Sequence, residues 1–221
     1  PDDAWTSRLL GVAILPPEVS GRGPKRPGEE EFMAYSLMEE LAGQDRFRLV
    51  DRALLDKVLL ELELTQEGLT DPANAVRVGE LLSARLVVLG TLFYFPSQVK
   101  AKYRIIDTET SEIIGFPDAS SEDGVEALAA PLAGQLVEQV RRKLPLKGKV
   151  KDLPSGGGLE LNIGRDHGVK EGMAFEVLSA DGQKVGEVQI VGVHENTSRA
   201  VVQSGADEVP VEARVREMIE S

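Results

Sequence analysis

The sequence predicts an α+β chain made of two modules, and three observations carry that expectation. Apolar stripes at helical spacing alternate with short apolar runs over residues 1–145. Beyond residue 148 no helical period recurs until the last few residues, and the pattern is one of short strands. Three glycines spaced four apart, Gly164, Gly168 and Gly172, interrupt those strands, and glycine supplies the positive φ that tight turns in a small barrel require. At 221 residues the chain is long enough for two modest domains, each with its own core. The expected division is an α/β domain over 1–145 and a small all-β barrel over 146–221. The two are expected to fold separately, with the boundary at 145–148.

In chain order, residues 8–16 form a continuous apolar run of the kind found in strands buried on both faces. A loop rich in Gly and Pro follows over 17–28. Residues 29–41 place Met33, Ala34, Leu37, Met38 and Leu41 on one stripe behind an acidic first turn, which suits a helix N-terminus. A short strand is expected over 47–52. The next helix, over 53–64, faces Leu55, Val58, Leu59 and Leu62 inward, with Asp51 as its cap. Asp71 and Pro72 open a third helix that runs to residue 83. Residues 85–95, 98–107 and 112–119 read as three strands with connections too short for a crossover helix, so the last two form an antiparallel meander. A long amphipathic helix spans 123–144, and Pro131 inside it implies a kink or a true start near Ala130. The barrel strands are expected at 148–153, 159–163, 174–178, 184–194, 198–203 and 213–217, with Asp181 and Gly182 as a hairpin turn and Gly156, Gly157 and Gly158 as a flexible tip.

The formal net charge of −12 is spread over both halves, with 16 basic against 24 acidic residues in 1–145 and 9 against 13 in 146–221. Nucleic-acid binding relies on a basic face that releases counterions, so nucleic acid is not an expected partner. No hydrophobic run approaches membrane-spanning length, and the absence of Cys removes disulfides, thiol nucleophiles and thiolate metal sites. Pro1 stands where an initiator Met would, so the expectation is a processed or truncated product, with any signal peptide or lipid anchor upstream. Membrane association is expected only through such an anchor.

Four segments in order resemble the motifs of the CsgG and TolB amino-terminal-domain superfamily: Val50-Asp-Arg52, Leu60-Glu-Leu-Glu-Leu-Thr-Gln-Glu-Gly68, Val78-Gly-Glu-Leu-Leu-Ser-Ala-Arg-Leu-Val-Val-Leu-Gly-Thr91, and Tyr103-Arg-Ile-Ile-Asp-Thr-Glu-Thr110. The resemblance covers most of 8–144. It implies an anticodon-binding-like α/β sandwich of the kind found in bacterial envelope proteins. Leu161-Asn-Ile-Gly164, Gly168-Val-Lys-Glu-Gly-Met173 and Val185-Gly-Glu-Val188 are similar to the carboxy-terminal-domain family of the flagellar protein FlgT, which implies a small SH3-like barrel. Two departures stand out. Ser111 occupies the place where the superfamily usually has Gly in a Thr-Gly-Glu turn, and the amino-terminal domain of FlgT has no counterpart here. The resemblance implies a periplasmic accessory module, with outer-membrane association left open, whose partners are other envelope proteins or itself; a ring-forming outer-membrane lipoprotein subunit is the alternative.

No catalytic set emerges from the residues, and the expectation is of no catalytic residue, no cofactor and no metal. The two histidines each adjoin an acid, Asp166-His167 and His194-Glu195, without ligand spacing. Ser7, Ser36, Ser83 and Ser155 lack a nucleophile elbow. An enzyme with carboxylates at the domain interface is the rival reading. The expected partner contacts are Arg22, Lys25 and Arg26 in the 17–28 loop together with Tyr94. Strand alternation there would bury Phe93 and Phe95 on one face and leave Tyr94 on the other, either as an exposed anchor at a sheet edge or packed beneath the long helix.

Overall fold

The computed structural model describes residues 5–64, 68, 71–154, 158–205 and 209–219. It divides into two compact units: one is Leu10–Gly43 with Phe47–Lys143, and the other is Leu144–Ser221 with Pro1–Leu9 and Gln44–Arg46. Two short segments of the first half of the sequence thus belong to the barrel unit, which is wider in membership than 146–221.

The first unit is a seven-stranded mixed sheet with helices on both faces. Its elements are β1 (Leu10–Ile14), β2 (Glu18–Gly21), α1 (Glu29–Ala42), β3 (Phe47–Leu49), α2 (Arg52–Glu61), α3 (Pro72–Leu81), β4 (Leu86–Tyr94), β5 (Val99–Asp107), β6 (Glu112–Gly115), β7 (Asp118–Ser121) and α4 (Ala129–Lys143). The strand order is β3-β1-β4-β5-β6, with β2 also beside β4 and β7 also beside β5. All five residues of β1 are buried, as a strand lying between two parallel neighbours requires. Asp51 caps α2 as expected, its Oδ1 accepting from the amides of Ala53 at 2.9 Å and Leu54 at 3.2 Å. Asp71 does the same for α3 through Ala73, at 3.0 Å. The long helix begins at Ala129, so Pro131 lies in its first turn, where a missing amide hydrogen costs nothing.

Two expectations for this unit need correction. The 17–28 loop contains a strand: β1 covers β4 only from Leu86 to Val88, and the backbone groups of β4 farther along take β2 as their partner, in parallel register from Glu18 beside Thr91 to Gly21 beside Tyr94. The strand expected over 112–119 is two strands. Pro117 cannot donate to a ladder, so pairing to β5 breaks there, β6 and β7 hold opposite ends of β5, and the Pro117 carbonyl accepts the Tyr103 amide at 2.8 Å.

One face of the sheet packs Leu55, Val58, Ala75, Val78 and Leu82 of the α2–α3 layer on Ala13, Val87, Leu89 and Ile106. Met33, Leu37 and Leu41 of α1 and Leu132, Leu136 and Val140 of α4 are buried as well. A Cβ on Gly115 would meet both Gln139 of α4 and Ile105 of β5, which places α4 on the face opposite to Ile106.

The second unit is a closed barrel of six strands: β8 (Lys147–Asp152), β9 (Leu159–Leu161), β10 (Ala174–Leu178), β11 (Lys184–Val193), β12 (Ser198–Gly205) and β13 (Arg214–Glu217). They run in the order β10-β11-β12-β9-β8-β13, every pairing antiparallel. Phe175, Val177, Val188, Ile190, Leu161, Ile163 and Val215 fill the interior. Gly168 and Gly172 adopt φ of +89° and +85°, as the turn reading required, while Gly164 is extended. Gly164 is needed for a different reason: a Cβ there would come within 2.6 Å of the Glu195 carbonyl and the Thr197 amide. Gly182 turns the Ser179–Gln183 hairpin at φ +82°. Gly156 and Gly157 lie outside the described residues.

The added segments close this unit. The Trp5 indole donates to the Val215 carbonyl at 3.3 Å, with Lys147 4.9 Å and Arg214 4.8 Å from its ring centre. Ser7 exchanges two hydrogen bonds with the backbone of Lys147. Arg46 pairs with the buried Glu217 at 3.3 Å and also donates to the Leu144 carbonyl, while Glu217 accepts the Leu146 amide at 3.0 Å.

Candidate functional site

The C-terminal end of β4 borders a hollow. A cleft of about 420 Å³ opens between the 17–28 segment, the β4–β5 turn and the turn before α4; Lys25, Arg26, Glu29, Tyr94, Pro96, Glu122 and Glu126 contribute to its walls. A smaller hollow of about 280 Å³ shares Lys25, Arg26 and Tyr94 and adds Val19, Pro27 and Glu30.

Local backbone chemistry builds the mouth of this cleft. At the end of β2, Gly21 has φ +99°, and the amides of Arg22 and Gly23 both donate to the Tyr94 carbonyl, at 3.1 and 3.0 Å. A Cβ on Gly21 would strike the Tyr94 backbone, so the close approach depends on glycine. The chain then turns at Gly28, φ +84°, into α1, and the Glu29 carboxylate reaches back to accept the Arg26 amide at 2.9 Å. Arg22, Lys25 and Arg26 are all exposed. The structure brings Lys25 and Arg26 to the cleft with Tyr94 and leaves Arg22 outside its lining.

Tyr94 is not an exposed edge residue: it is 5% exposed, because β4 is an interior strand whose residue 94 faces α1. Its neighbours are opposite to expectation too, Phe93 being half-buried and Phe95 46% exposed. The Tyr94 hydroxyl donates to Glu29 at 2.6 Å. Burial first, then that hydrogen bond and the charges of Glu29, Glu30 and Glu126, push its pKa above the ordinary phenol value. Tyr94 is therefore a neutral donor that fixes Glu29 in the cleft wall.

The acid side of the cleft escaped sequence reading. Glu122, Asp123 and Glu126 come from the turn before α4; of the kink or true start near Ala130 expected for the 123–144 helix, the structure shows the start, at Ala129, after Gly124 at φ +100° and a short 3-10 turn. Two cations, Lys25 and Arg26, therefore face four carboxylates, Glu29, Glu122, Asp123 and Glu126. Such a site suits a polar protein segment with both signs of charge.

Elsewhere, Asp51 is engaged as a cap and Arg52 pairs with Asp56 at 3.0 Å, one turn on. In the barrel, His167 Nδ1 accepts the Gly164 amide at 3.1 Å. Burial holds its pKa below the usual value, against the opposing pull of Asp166. Ser7 is a backbone partner of the barrel, and Ser155 lies outside the described residues. No group of three His, Asp or Glu side chains among the described residues could hold a metal ion. No helix among them is long and apolar enough to cross a membrane.

Comparison with known proteins adds the following. No curated protein sequence matches the chain. Solved structures give distant likenesses: the LpoB C-terminal domain from Escherichia coli is 18% identical with a TM-score of 0.44, covering 54% of this chain and 86% of that one. The lipoprotein GNA1162 from Neisseria meningitidis is 16% identical with a TM-score of 0.42, covering 61% and 96%. TolB from Acinetobacter baumannii is 11% identical with a TM-score of 0.41, covering 92% of this chain and 51% of that one. The family described as curli production assembly/transport component CsgG matches residues 31–114, less than half of the chain but most of the span from α1 to β6.

Proposed function

We propose that this chain is a non-enzymatic accessory module of the bacterial cell envelope, acting in the periplasm by binding another envelope protein through the cleft at the end of β4. The observation that carries the envelope reading is the CsgG-family match over 31–114; of the cleft it takes in the wall from Tyr94 to Val99, while the charged walls at 24–29 and 122–126 lie outside the match. The mixed charge of the cleft and its exposed mouth suit a protein segment better than a small substrate. The barrel serves as a second binding or spacing module of SH3-like, FlgT-like type.

Photo-cross-linking in cells tests this. A photoreactive residue replacing Lys25 or Ser97, at the cleft, should trap one envelope protein, while the same residue at the exposed Leu60 on α2 should not. Cross-links from both regions to the same set of proteins, or only to cytosolic ones, would remove the cleft from the account.

A further inference from the structure

Helix α1 departs from the ordinary pattern of a surface helix. Its inward stripe is Met33, Ala34, Leu37 and Leu41. At 3.6 residues per turn, Phe32, Tyr35 and Glu39 fall within roughly 60° of one another on the opposite side, where solvent-facing helices carry polar residues. Phe32 is 44% exposed and Tyr35 52%. The other two tyrosines of the chain, Tyr94 and Tyr103, are buried, so Tyr35 is the exception. The ridge is also acidic. Glu31 and Glu40 lie on either side of it, and both are exposed, as is Glu39. None of these three carboxylates forms an ion pair with a described residue, and α1 itself contains no basic residue. The basic residues of α4, the helix beside it, stand in that helix's last turn, where Arg142 is paired with Glu138 at 2.6 Å.

Two exposed aromatic rings beside unpaired carboxylates select one ligand chemistry. A guanidinium stacks on an aromatic face and pairs with a carboxylate through the same planar group. Those carboxylates repel nucleic acid and anionic lipid headgroups, so the cation that complements them comes from protein. A second copy is a poor source, because two chains of net charge −12 repel each other and this ridge has no cation to offer its twin.

We infer that the outward ridge of α1 docks a basic, arginine-bearing segment of a partner protein. Guanidinium groups of that segment stack on Phe32 and Tyr35 and pair with Glu31 and Glu39. No residue of the ridge lines the cleft, so failure of this inference would leave the proposed function standing.

The probe is a fluorescein-labelled helical peptide of 14 residues, the length of α1, with Arg and Leu along one stripe. Fluorescence anisotropy against the intact chain should show saturable binding. Any acidic protein attracts a basic peptide, so the decisive variant removes the rings and keeps every charge: F32A/Y35A, checked for an unchanged melting temperature, should weaken binding by about tenfold. E31Q/E39Q should weaken it as well and flatten its salt dependence, whereas E122Q/E126Q in the cleft should leave it unchanged. Amide signals of Phe32, Tyr35 and Glu39 should shift on titration. Four results would overturn the inference: no saturable binding of the peptide, equal binding by F32A/Y35A, shifts confined to Glu122 and Glu126, or self-association of the intact chain in sedimentation equilibrium that is lost in Y35A.

Discussion

At the scale of single residues, Ser111 is the clearest test of how backbone and side chain disagree. It sits at φ +60°, in the β5–β6 turn, where the resembled superfamily usually has glycine. The left-handed region costs a residue with a Cβ about 1 kcal/mol or more relative to glycine. S111G should therefore raise unfolding free energy by about 0.5–1 kcal/mol in urea titrations, and an unchanged or lower midpoint would contradict the strain. His167 provides a pH dependence whose sign follows from geometry. Its Nδ1 can accept the Gly164 amide only when neutral, and burial depresses its pKa in the folded state. The unfolded chain thus binds the proton more readily, so this contribution is present above pH ~6.5 and is lost as pH falls toward the folded pKa. Barrel stability should decline by about 1 kcal/mol on this account. H167N, whose side-chain oxygen can accept the same amide, should flatten that part of the profile; an identical profile would assign the acid sensitivity elsewhere.

At the scale of elements, the barrel is stapled by a segment far away in sequence. Trp5 is the chain's one tryptophan, so its fluorescence reads the attachment of the amino-terminal segment to β8 and β13 without interference. Its emission should shift to the red in the same denaturant transition as barrel circular dichroism, and a shift well before that transition would show the staple to be dispensable. The elements themselves were largely legible. Periodicity located α1 and α2, the Asp–Pro pair marked the start of α3, and Asp51 was readable as a cap because a short acceptor stood before an apolar helical stripe. What escaped were features set by partners remote in sequence. Strand β2 exists because β4 is longer than β1, and the break between β6 and β7 exists because one proline sits opposite a nine-residue strand.

At the scale of the whole chain, sequence placed the passage from α/β to all-β near residue 145, and the structure assigns Gln44–Arg46 and the first nine residues to the barrel unit as well. No local pattern could announce that, because Arg46 earns its place through Glu217, 171 positions away. A fragment of 146–221 would lose the Arg46–Glu217 pair, and breaking a buried pair costs about 3–5 kcal/mol. It should unfold at clearly lower urea than the barrel of the intact chain, and equal midpoints would contradict the need for the added segments. Of the candidate site, Lys25 and Arg26 were legible as cations in a Gly/Pro loop, Tyr94 was named with an exposed and a packed environment both open and takes the packed one, and the carboxylates opposite went unread because they stand ahead of the true helix start at Ala129, in a turn opened by Gly124. The central claim is that this cleft is where the chain holds its envelope partner. Isothermal titration of the protein cross-linked from residue 25 against the intact chain and against K25A/R26A tests it most directly: the account predicts a loss of affinity of at least about tenfold with R22A nearly unaffected, and an unchanged affinity in K25A/R26A would contradict it.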